Sequence, residues 1–399
     1  ANLDGSGGGG ELNLSGATPS EPRGVAIDST TGRIYWANQE NATISYANLD
    51  GSGGGGELNI SGTTPSKPHG LAIDPAAGRI YFANDNNTIS YANLDGSGGD
   101  QLDLSGATPS SPYGTAIDPA TGRIYWANRV TNTISYANLD GSGGGGELNT
   151  DGTTPVDPHG VAIDHAGGRI YWANADFTGF SIGYANLDGS GGGGLLNVDG
   201  AAEHGAVGLA IDPIQRRIYW GNLGDNVIPI SYANLDGSGG GNLNVSGATP
   251  YQARFPALLR TPSGTGAPQI AGGSRVGSQL TCTRGEWASD LLDSFLYRAP
   301  QSFGYQWTRG HTDIPGATGS SYTARAAGAY SCRVTAINQA GTTSQTSPGL
   351  RVREPKCKHL RAKLRRQKKG LVKAGSEAKR DLIAAATKDT KKRLHKHGC

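Results

Sequence analysis

Three short blocks recur in the same order along the first two thirds of the chain. The block ANLDGSG occurs six times, at intervals of 45 to 48 residues, starting at Ala1, Ala47, Ala92, Ala137, Ala185 and Ala233. Between these copies lie RIYWAN or a close variant, starting at Arg33, Arg79, Arg123, Arg169 and Arg217, and G-x-A-I-D, starting at Gly24, Gly70, Gly114, Gly160 and Gly208. A fixed period of this length is typical of an array of units that pack on their neighbours.

Each unit contains four segments with the composition of short β-strands. G-x-A-I-D is small and apolar, RIYWAN is aromatic and β-branched, and TISYANLD and ELNI follow. The separators contain Asp-Pro, Asp-Gly and Gly pairs that favour tight turns. Four antiparallel strands per unit predict an all-β propeller in which each unit is one blade.

Five complete units predict five blades, and the two ends of the repeat region predict a sixth. Residues 1–14 supply the end of a third strand and a fourth strand, and Phe255–Arg260 supplies a degenerate first strand. We therefore predict a six-bladed ring over residues 1–260 that is closed by both ends, which removes free strand edges. The aromatic second strand of that blade is absent, and we interpret the chain as truncated at its N-terminus.

The three blocks resemble the YWTD repeat of the low-density lipoprotein receptor family, called the class B repeat, which builds six-bladed propellers. The resemblance covers residues 1–260 and rests on P-x-G-x-A-I-D, G-R-I-Y-W and A-N-L-D-G-S. The chain departs from the family at the fourth letter of the YWTD motif, where Asn replaces Asp at Asn38, Asn84, Asn128, Asn174 and Asn222. A neutral amide must therefore supply whatever the carboxylate contributes in the family.

Alternating strand directions sort the connections onto two faces. The AID-x-GR and LDGSGGGG turns hardly vary and form what we call the invariant-turn face. The connections before each first strand and after each RIYWAN vary, and form the variable-loop face. We predict that this face binds a ligand, through residues at the channel mouth and in one aromatic loop: Arg23, His69, Tyr113, His159, Phe177 and Phe180.

The repeated aspartates could form a metal site or serve a structural role in turns. Their position directly before each turn favours the structural role. Each unit has one aspartate before a turn, namely Asp28, Asp74, Asp118, Asp164 and Asp212. Such a side chain accepts hydrogen bonds from turn N–H groups. The NLDGSG string fails as an EF-hand, because Asn59 lies twelfth from Asn48, where a bidentate Glu is required. We expect no metal ion and no cofactor.

A propeller enzyme is the competing functional class. His69 and His159 each lie in the tripeptide PHG, which resembles propellers similar to virginiamycin B lyase. That resemblance implies a metal-assisted lyase or lactonase site at the channel mouth. No partner carboxylate can be identified from the sequence, and no nucleophile elbow, phosphate-binding loop, HExxH or CxxC motif is present. No catalytic residue is therefore assigned.

The composition changes after the repeats, with a Pro/Gly/Ser-rich linker predicted at 261–267 and a second domain at 268–353. Cys282, Trp307 and Cys332 are spaced by 25 residues each, which resembles immunoglobulin-like modules of bacterial surface proteins. The resemblance implies that Trp307 packs on a Cys282–Cys332 disulfide and that Tyr330 forms a tyrosine corner. A reduced buried pair of cysteines is the alternative.

Residues 354–399 form a basic tail. From Arg353 onward there are 17 Lys/Arg and 4 Asp/Glu, whereas the rest of the chain has 18 basic and 29 acidic residues. Leucines at helical spacing predict a helical hairpin, and an antiparallel pair would bring Cys357 and Cys399 close enough for a disulfide. The tail is either a solvated helix pair or a contact to anionic cell-wall polymer, to a membrane surface or to the acidic propeller of another copy. No aromatic residue interleaves the charges, so no nucleic acid is expected.

The patterns together favour a secreted or cell-surface binding or adhesion protein. In this hypothesis the variable-loop face binds an extracellular protein or glycan, and the immunoglobulin-like domain is a spacer. No signal peptide is present in this chain.

Overall fold

The computed structural model describes residues 10–175, 180–202, 205–223, 230–248, 253–354 and 356–396. It confirms the predicted fold class, an all-β propeller followed by a short helical hairpin. Two compact units are present: residues 1–262 with 289–301 and 338–341, and the remaining residues.

The described part of the first unit contains five antiparallel four-stranded sheets, which are the blades. Blade 1 consists of β1 (Pro22–Asp28), β2 (Arg33–Asn38), β3 (Thr43–Asn48) and β4 (Gly56–Glu57). Blade 2 consists of β5 (Leu71–Asp74), β6 (Arg79–Asn84), β7 (Thr88–Asn93) and β8 (Gly99–Gln101). Blade 3 consists of β9 (Pro112–Asp118), β10 (Arg123–Asn128), β11 (Thr133–Asn138) and β12 (Gly146–Glu147). Blade 4 consists of β13 (Pro158–Asp164), β14 (Arg169–Asn174), β15 (Ser181–Asn186) and β16 (Gly194–Leu196). Blade 5 consists of β17 (Ala206–Asp212), β18 (Arg217–Asn222), β19 (Ile230–Asn234) and β20 (Gly240–Asn242).

The second strand of each blade lies between the first and third strands of its sheet and is buried on both faces, which explains its aromatic composition. In blade 3, Tyr125, Trp126 and Ala127 are almost completely buried. Tyr125 pairs in register with Tyr136 of β11, and the guanidinium carbon of Arg123 lies 4.5 Å from the centre of the Tyr136 ring. Both faces of the strand therefore bury apolar surface, which is the main stabilising contribution to blade stacking.

The first strands pack so closely around the central channel that each has a glycine, inside the strand or directly before it, where it approaches the next blade. The N–H of Gly24 donates to the carbonyl oxygen of His69, and the N–H of Gly70 donates to that of Tyr113, at 2.8 and 2.9 Å. A Cβ on Gly70 would lie 2.6 Å from the backbone nitrogen of Thr115. The G-x-A-I-D glycines are therefore required by close backbone approach rather than by flexibility.

The glycine run after ANLD is likewise ordered by packing. Gly53 and Gly54 have φ values of 79° and 65°, which side-chain-bearing residues rarely adopt. A Cβ on Gly55 would lie 2.9 Å from the carbonyl oxygen of Tyr46, and one on Gly56 would lie 2.9 Å from its hydroxyl. The run is a compact turn against which residues 13–17, from earlier in the chain, pack.

The sixth blade position is filled in an unexpected way. The predicted first strand at Phe255–Arg260 is realised as β21 (Leu258–Leu259), which pairs in parallel with β26 (Leu296–Tyr297). Residues 10–14 form no strand, and residues 1–9 lie outside the described residues. β26 belongs to the segment Ser289–Gln301, which we call the strap; it is part of the propeller unit, although the sequence placed it in the second domain.

The strap runs along the inner edges of the first strands, near the invariant-turn face. The N–H of Ile163 donates to Asp293 O at 3.0 Å, and the N–H of Ile211 donates to Ser294 O at 2.8 Å. Tyr297 is 1% exposed, and its hydroxyl is hydrogen-bonded to the backbone of Ile27. These partners belong to blades 1, 4 and 5. The strap therefore bridges the gap in the ring between blades 5 and 1, and it occupies the base of the channel.

The second unit contains short strands on either side of a disulfide-linked core. β22 (Gly264–Gly266) pairs with β25 (Glu286–Trp287), so the predicted linker at 261–267 contains a strand. One sheet has β23 (Ile270–Gly272), β24 (Gln279–Cys282) and β29 (Ser321–Thr323). The other has β27 (Ser302–Arg309), β28 (Thr312–Asp313), β30 (Gly328–Asn338), β31 (Gly341–Thr346) and β32 (Leu350–Val352).

A disulfide joins Cys282 of one sheet to Cys332 of the other. Trp307 is fully buried in the same cluster, and its indole N–H donates to Gly319 O at 2.9 Å. The Tyr330 hydroxyl donates to Ala326 O at 2.8 Å, four residues upstream. This is the backbone contact that defines a tyrosine corner.

The tail forms two helices, α1 (Lys356–Val372) and α2 (Glu377–Lys396). The most buried side chains of the pair are Leu360, Ala374, Thr390 and Leu394. Leu382 is 74% exposed, whereas Cδ1 of its neighbour Ile383 lies 3.7 Å from the position that a Cβ on Gly370 of α1 would take. Cys399 lies outside the described residues, so its pairing with Cys357 stays a prediction. No helix among the described residues is long and apolar enough to cross a membrane.

Candidate binding surface around the channel mouth

Three of the predicted site residues meet at the variable-loop end of the channel. The rings of His69 and Tyr113 stack with centroids 4.1 Å apart, and His159 meets Tyr113 edge-on at 4.6 Å. Each precedes the glycine that touches the next blade, so the close approach of the backbones brings the rings together. His69, Tyr113 and His159 are 2%, 4% and 7% exposed, so they form the floor of the surface rather than its rim.

Two residues that the sequence did not single out complete this floor. Phe255 stacks on Tyr113 at 6.2 Å, and the guanidinium of Arg254 is hydrogen-bonded to the Tyr113 side chain. They precede β21, and Arg254 holds the ring position of the sixth blade, because the N–H of Gly208 donates to Arg254 O at 2.8 Å as that of Gly70 donates to Tyr113 O. Phe255 opens the degenerate repeat FPALLR, and no sequence pattern indicated Arg254. We call His69, Tyr113, His159 and Phe255 the aromatic plug, because their rings fill the channel mouth.

Arginine side chains surround the plug. The guanidinium of Arg129 lies 5.3 Å from the centre of the Tyr113 ring, and its Nε donates to Asp157 Oδ1 at 2.9 Å. Arg23, another predicted site residue, donates to Gln39 and lies 3.4 Å from Glu21. Burial, and then the charge of Arg23, lower the pKa of Arg254.

Burial lowers the pKa of both histidines of the plug. Burial lowers the pKa of His69, although Asp85 opposes the effect with Oδ1 2.6 Å from Nε2. This carboxylate partner was not identifiable from the sequence, because it lies 16 residues away in the next variable loop. Burial and the charge of Arg129 lower the pKa of His159 to about 4, and its Nδ1 lies 2.9 Å from Asp157 O.

The predicted aromatic loop is described only in part. Phe180 packs on Trp220 with ring centroids 5.3 Å apart, so it anchors the loop to blade 5. Phe177 lies outside the described residues. Val130, in the variable loop of blade 3, is 73% exposed and is the most exposed large apolar side chain of the described propeller.

The five repeated aspartates are separate turn residues and do not form a cluster. Asp118 accepts hydrogen bonds from Ala120 N and Thr121 N at 3.0 and 3.3 Å. Asp164 pairs with Arg216 at 2.7 Å, and Asp212 accepts from Arg260 Nε at 2.7 Å. Within the described residues, no group of three or more His, Cys, Asp or Glu could hold a metal ion.

A buried acid lies at the other end of the channel, in the strap. Asp293 is 8% exposed. Burial, followed by the charge of Asp118, raises its pKa to about 6, while His165 opposes the shift. Nothing in the repeat pattern indicates this residue, because the strap comes from outside the repeats.

The second unit has a polar cavity of about 420 Å³ between β27, β30 and the start of β32. Arg333, its one basic side chain besides His311, is already paired with Asp313 at 2.7 Å. The remaining lining is hydroxyls, alanine and glycine, so the cavity offers little recognition chemistry.

No protein-family model matches this chain, and the comparison with curated proteins found no match. Among solved structures, it is similar to a chain of the nidogen/laminin complex, with 19% identity and a TM-score of 0.46 over 55% of this chain and 78% of that one. It is also similar to a gluconolactonase from Xanthomonas campestris, with 13% identity and a TM-score of 0.45 over 59% and 79%. A third is the calcium-binding protein regucalcin from Agrobacterium tumefaciens, with 16% identity and a TM-score of 0.43 over 67% and 84%. Similarity at this level does not distinguish a binding protein from an enzyme.

Proposed function

We propose that this chain is an extracellular binding or adhesion protein whose YWTD-like propeller binds a protein or glycan on its variable-loop face. The observation that supports this most is the filled channel. The aromatic plug closes the mouth, and the strap occupies the base. A ligand therefore contacts the outer surface of the loops around the plug, where exposed Val130 and the arginines lie.

The chemistry of the two faces supports the same choice. On the invariant-turn face the polar groups are used internally; Asp50, for example, accepts from Ser52 N at 2.9 Å, and Asp118 from its own turn. The variable-loop face combines aromatic, arginine and exposed apolar side chains, which are enriched in protein interfaces.

The competing proposal, a metal-assisted propeller enzyme, is favoured by one observation, the His69–Asp85 pair. A histidine held by a carboxylate is a common general base. Against it, the His69 ring is 2% exposed and stacked under Tyr113, and the low pKa of His159 makes that ring a weak base. Binding is therefore the better-supported function.

We assign accessory roles to the remaining parts. The Cys282–Cys332 disulfide favours an oxidising compartment, which is typical of secreted or cell-surface proteins. The disulfide-linked unit is proposed as an immunoglobulin-like spacer, and the basic hairpin is proposed to contact an anionic surface. No nucleic-acid partner is proposed.

A pair of matched substitutions tests which face binds. Val130→Glu places a charge on the variable-loop face, and Ile214→Glu does the same on the invariant-turn face, where Ile214 is 52% exposed. Both variants and the unaltered chain are screened against an array of purified extracellular proteins and glycans. We expect Val130→Glu to weaken the strongest interaction by roughly tenfold or more, with Ile214→Glu unchanged. Equal effects of the two substitutions, or no binding to the array, would overturn the proposal.

A further inference from the structure

The helical hairpin combines an unusual charge with exposed apolar side chains. α1 contains eight Lys/Arg and no Asp/Glu, and α2 contains seven Lys/Arg and three Asp/Glu. Like charges on one helix repel each other. A surface of this kind is stabilised by an anionic partner.

Three of the eight large apolar side chains that are exposed in the described residues lie within 371–382, around the turn between the helices. Leu371 is 38% exposed, Val372 is 88% exposed and Leu382 is 74% exposed. Leu382 is five residues into α2, so it lies about 8 Å along the axis from the helix start. We call residues 368–382 the hairpin tip.

The apolar side chains of the tip are not the buried core of the hairpin. Its most buried side chains are those of Leu360, Thr390 and Leu394, and of Ala374 in the turn. Leu371, Val372 and Leu382 remain exposed, and basic side chains flank them at Lys368, Lys369, Lys373, Lys379 and Arg380.

We propose that the hairpin tip inserts Leu371, Val372 and Leu382 into the interfacial layer of an anionic lipid bilayer, with the flanking Lys and Arg against the headgroups. The proposal rests on the proposed contact between the hairpin and an anionic surface, and it names that surface as lipid. A polyanionic polymer attracts the charges equally well but offers no apolar layer to bury leucine and valine. Attraction to anionic headgroups and burial of apolar side chains together produce stable interfacial binding.

The test uses the full chain and unilamellar vesicles. Co-sedimentation is measured with phosphatidylcholine alone and with phosphatidylcholine containing phosphatidylglycerol at about 30%, an anionic fraction sufficient for attraction of basic segments. Dextran sulfate in a separate titration reports charge-only binding. The apolar variant is Val372→Asn with Leu382→Asn. The matched control is Val130→Asn with Ile214→Asn, which removes exposed apolar side chains from the propeller.

We expect the unaltered chain and the control to bind the anionic vesicles, and the apolar variant to bind them at least roughly tenfold more weakly. All three chains should bind dextran sulfate equally, because their charges are identical. Far-ultraviolet circular dichroism checks that the helices are retained, which is expected for exposed positions.

The outcomes separate the two proposals. If the unaltered chain binds neither anionic vesicles nor dextran sulfate, the anionic contact of the hairpin is wrong. If it binds both, and the apolar variant binds vesicles as tightly as the control, the anionic contact stands and insertion into lipid is overturned. Equal binding to neutral and anionic vesicles would also overturn the proposal.

Discussion

At the scale of single residues, Asn128 shows how a neutral amide serves a position where the resembling family has a carboxylate. Its Oδ1 accepts from Ser110 N at 2.9 Å and from the Trp126 indole N–H at 3.0 Å. Its Nδ2 donates to Thr133 Oγ1 and Ser135 Oγ at 3.0 and 2.7 Å. The fully buried side chain thus joins two strands to the connection that enters the blade.

Replacing Asn128 should lower the free energy of unfolding, by an amount that depends on which hydrogen-bonding groups lose their partner. Asn128→Leu leaves the N–H groups of Ser110 and Trp126 and the Ser135 hydroxyl without this partner. Thr133 Oγ1 keeps its contact to Thr131 Oγ1 at 3.1 Å. We expect the free energy of unfolding to fall by about 3–4 kcal/mol. Asn128→Asp should lose less than half of that, because the hydroxyls can rotate to donate to a carboxylate. Urea unfolding followed by tryptophan fluorescence measures both. Equal losses would show that the amide hydrogens, rather than the shared acceptor, are essential.

At the scale of elements, the first strands depend on backbone contacts that tolerate no side chain at one position. Backbone hydrogen bonds join the first strands of consecutive blades. For example, Gly70 N donates to Tyr113 O at 2.9 Å. Because the neighbouring atoms are backbone, they cannot move aside without displacing a blade.

We expect Gly70→Ala to destabilise the propeller by about 2–3 kcal/mol, since its Cβ would lie 2.6–2.7 Å from the backbone of residues 113–115. The matched control is Gly304→Ala in β27, where a Cβ meets no atom within 4 Å. That change should be neutral or mildly stabilising. The free energy of unfolding from urea titration compares the two. A Gly70→Ala variant as stable as the control would contradict the close approach.

At the scale of the whole propeller unit, the strap closes the ring and makes the free energy of unfolding depend on pH. Asp293 is buried beside Asp118, with His165 nearby, and its pKa is raised to about 6 from 3.8. Protonation is therefore favoured in the folded state. The ionised Asp293 side chain lowers the free energy of unfolding. This destabilisation is absent below about pH 4, develops between about pH 4 and 6, and is complete above about pH 6.

Asp293→Asn mimics the protonated acid, so it should leave stability unchanged near pH 4 and raise it by roughly 2–3 kcal/mol at pH 7. Urea unfolding of the variant and the unaltered chain across this range measures the difference. Asp290→Ala is the control within the strap, and it should destabilise at every pH in this range, because it removes Oδ1, which accepts from Arg298 N and Ala299 N at 2.6 and 2.7 Å. A stability difference for Asp293→Asn that does not vary with pH would contradict the role given to this acid.

The repeat pattern by itself determined the five blades, because strand composition and turn chemistry act over a few residues. The aromatic and β-branched composition of RIYWAN predicts the buried strands β2, β6, β10, β14 and β18. The helices of the tail follow from the spacing of their leucines. The ring position of His69, Tyr113 and His159 was predictable for the same reason, since it follows from the place of each residue in its repeat.

Contacts between distant segments were decided only by the tertiary structure. The strap lies 131 residues from Ile163, to which Ser294 Oγ donates, and no local pattern encodes such a partner. No local pattern predicts that the Phe255 ring stacks on Tyr113. Nor does one predict that Ile383, rather than Leu382, lies near α1. Burial depends on which surfaces meet after folding, so the sequence predicted which residues surround the channel, and only the packing decided that they fill it.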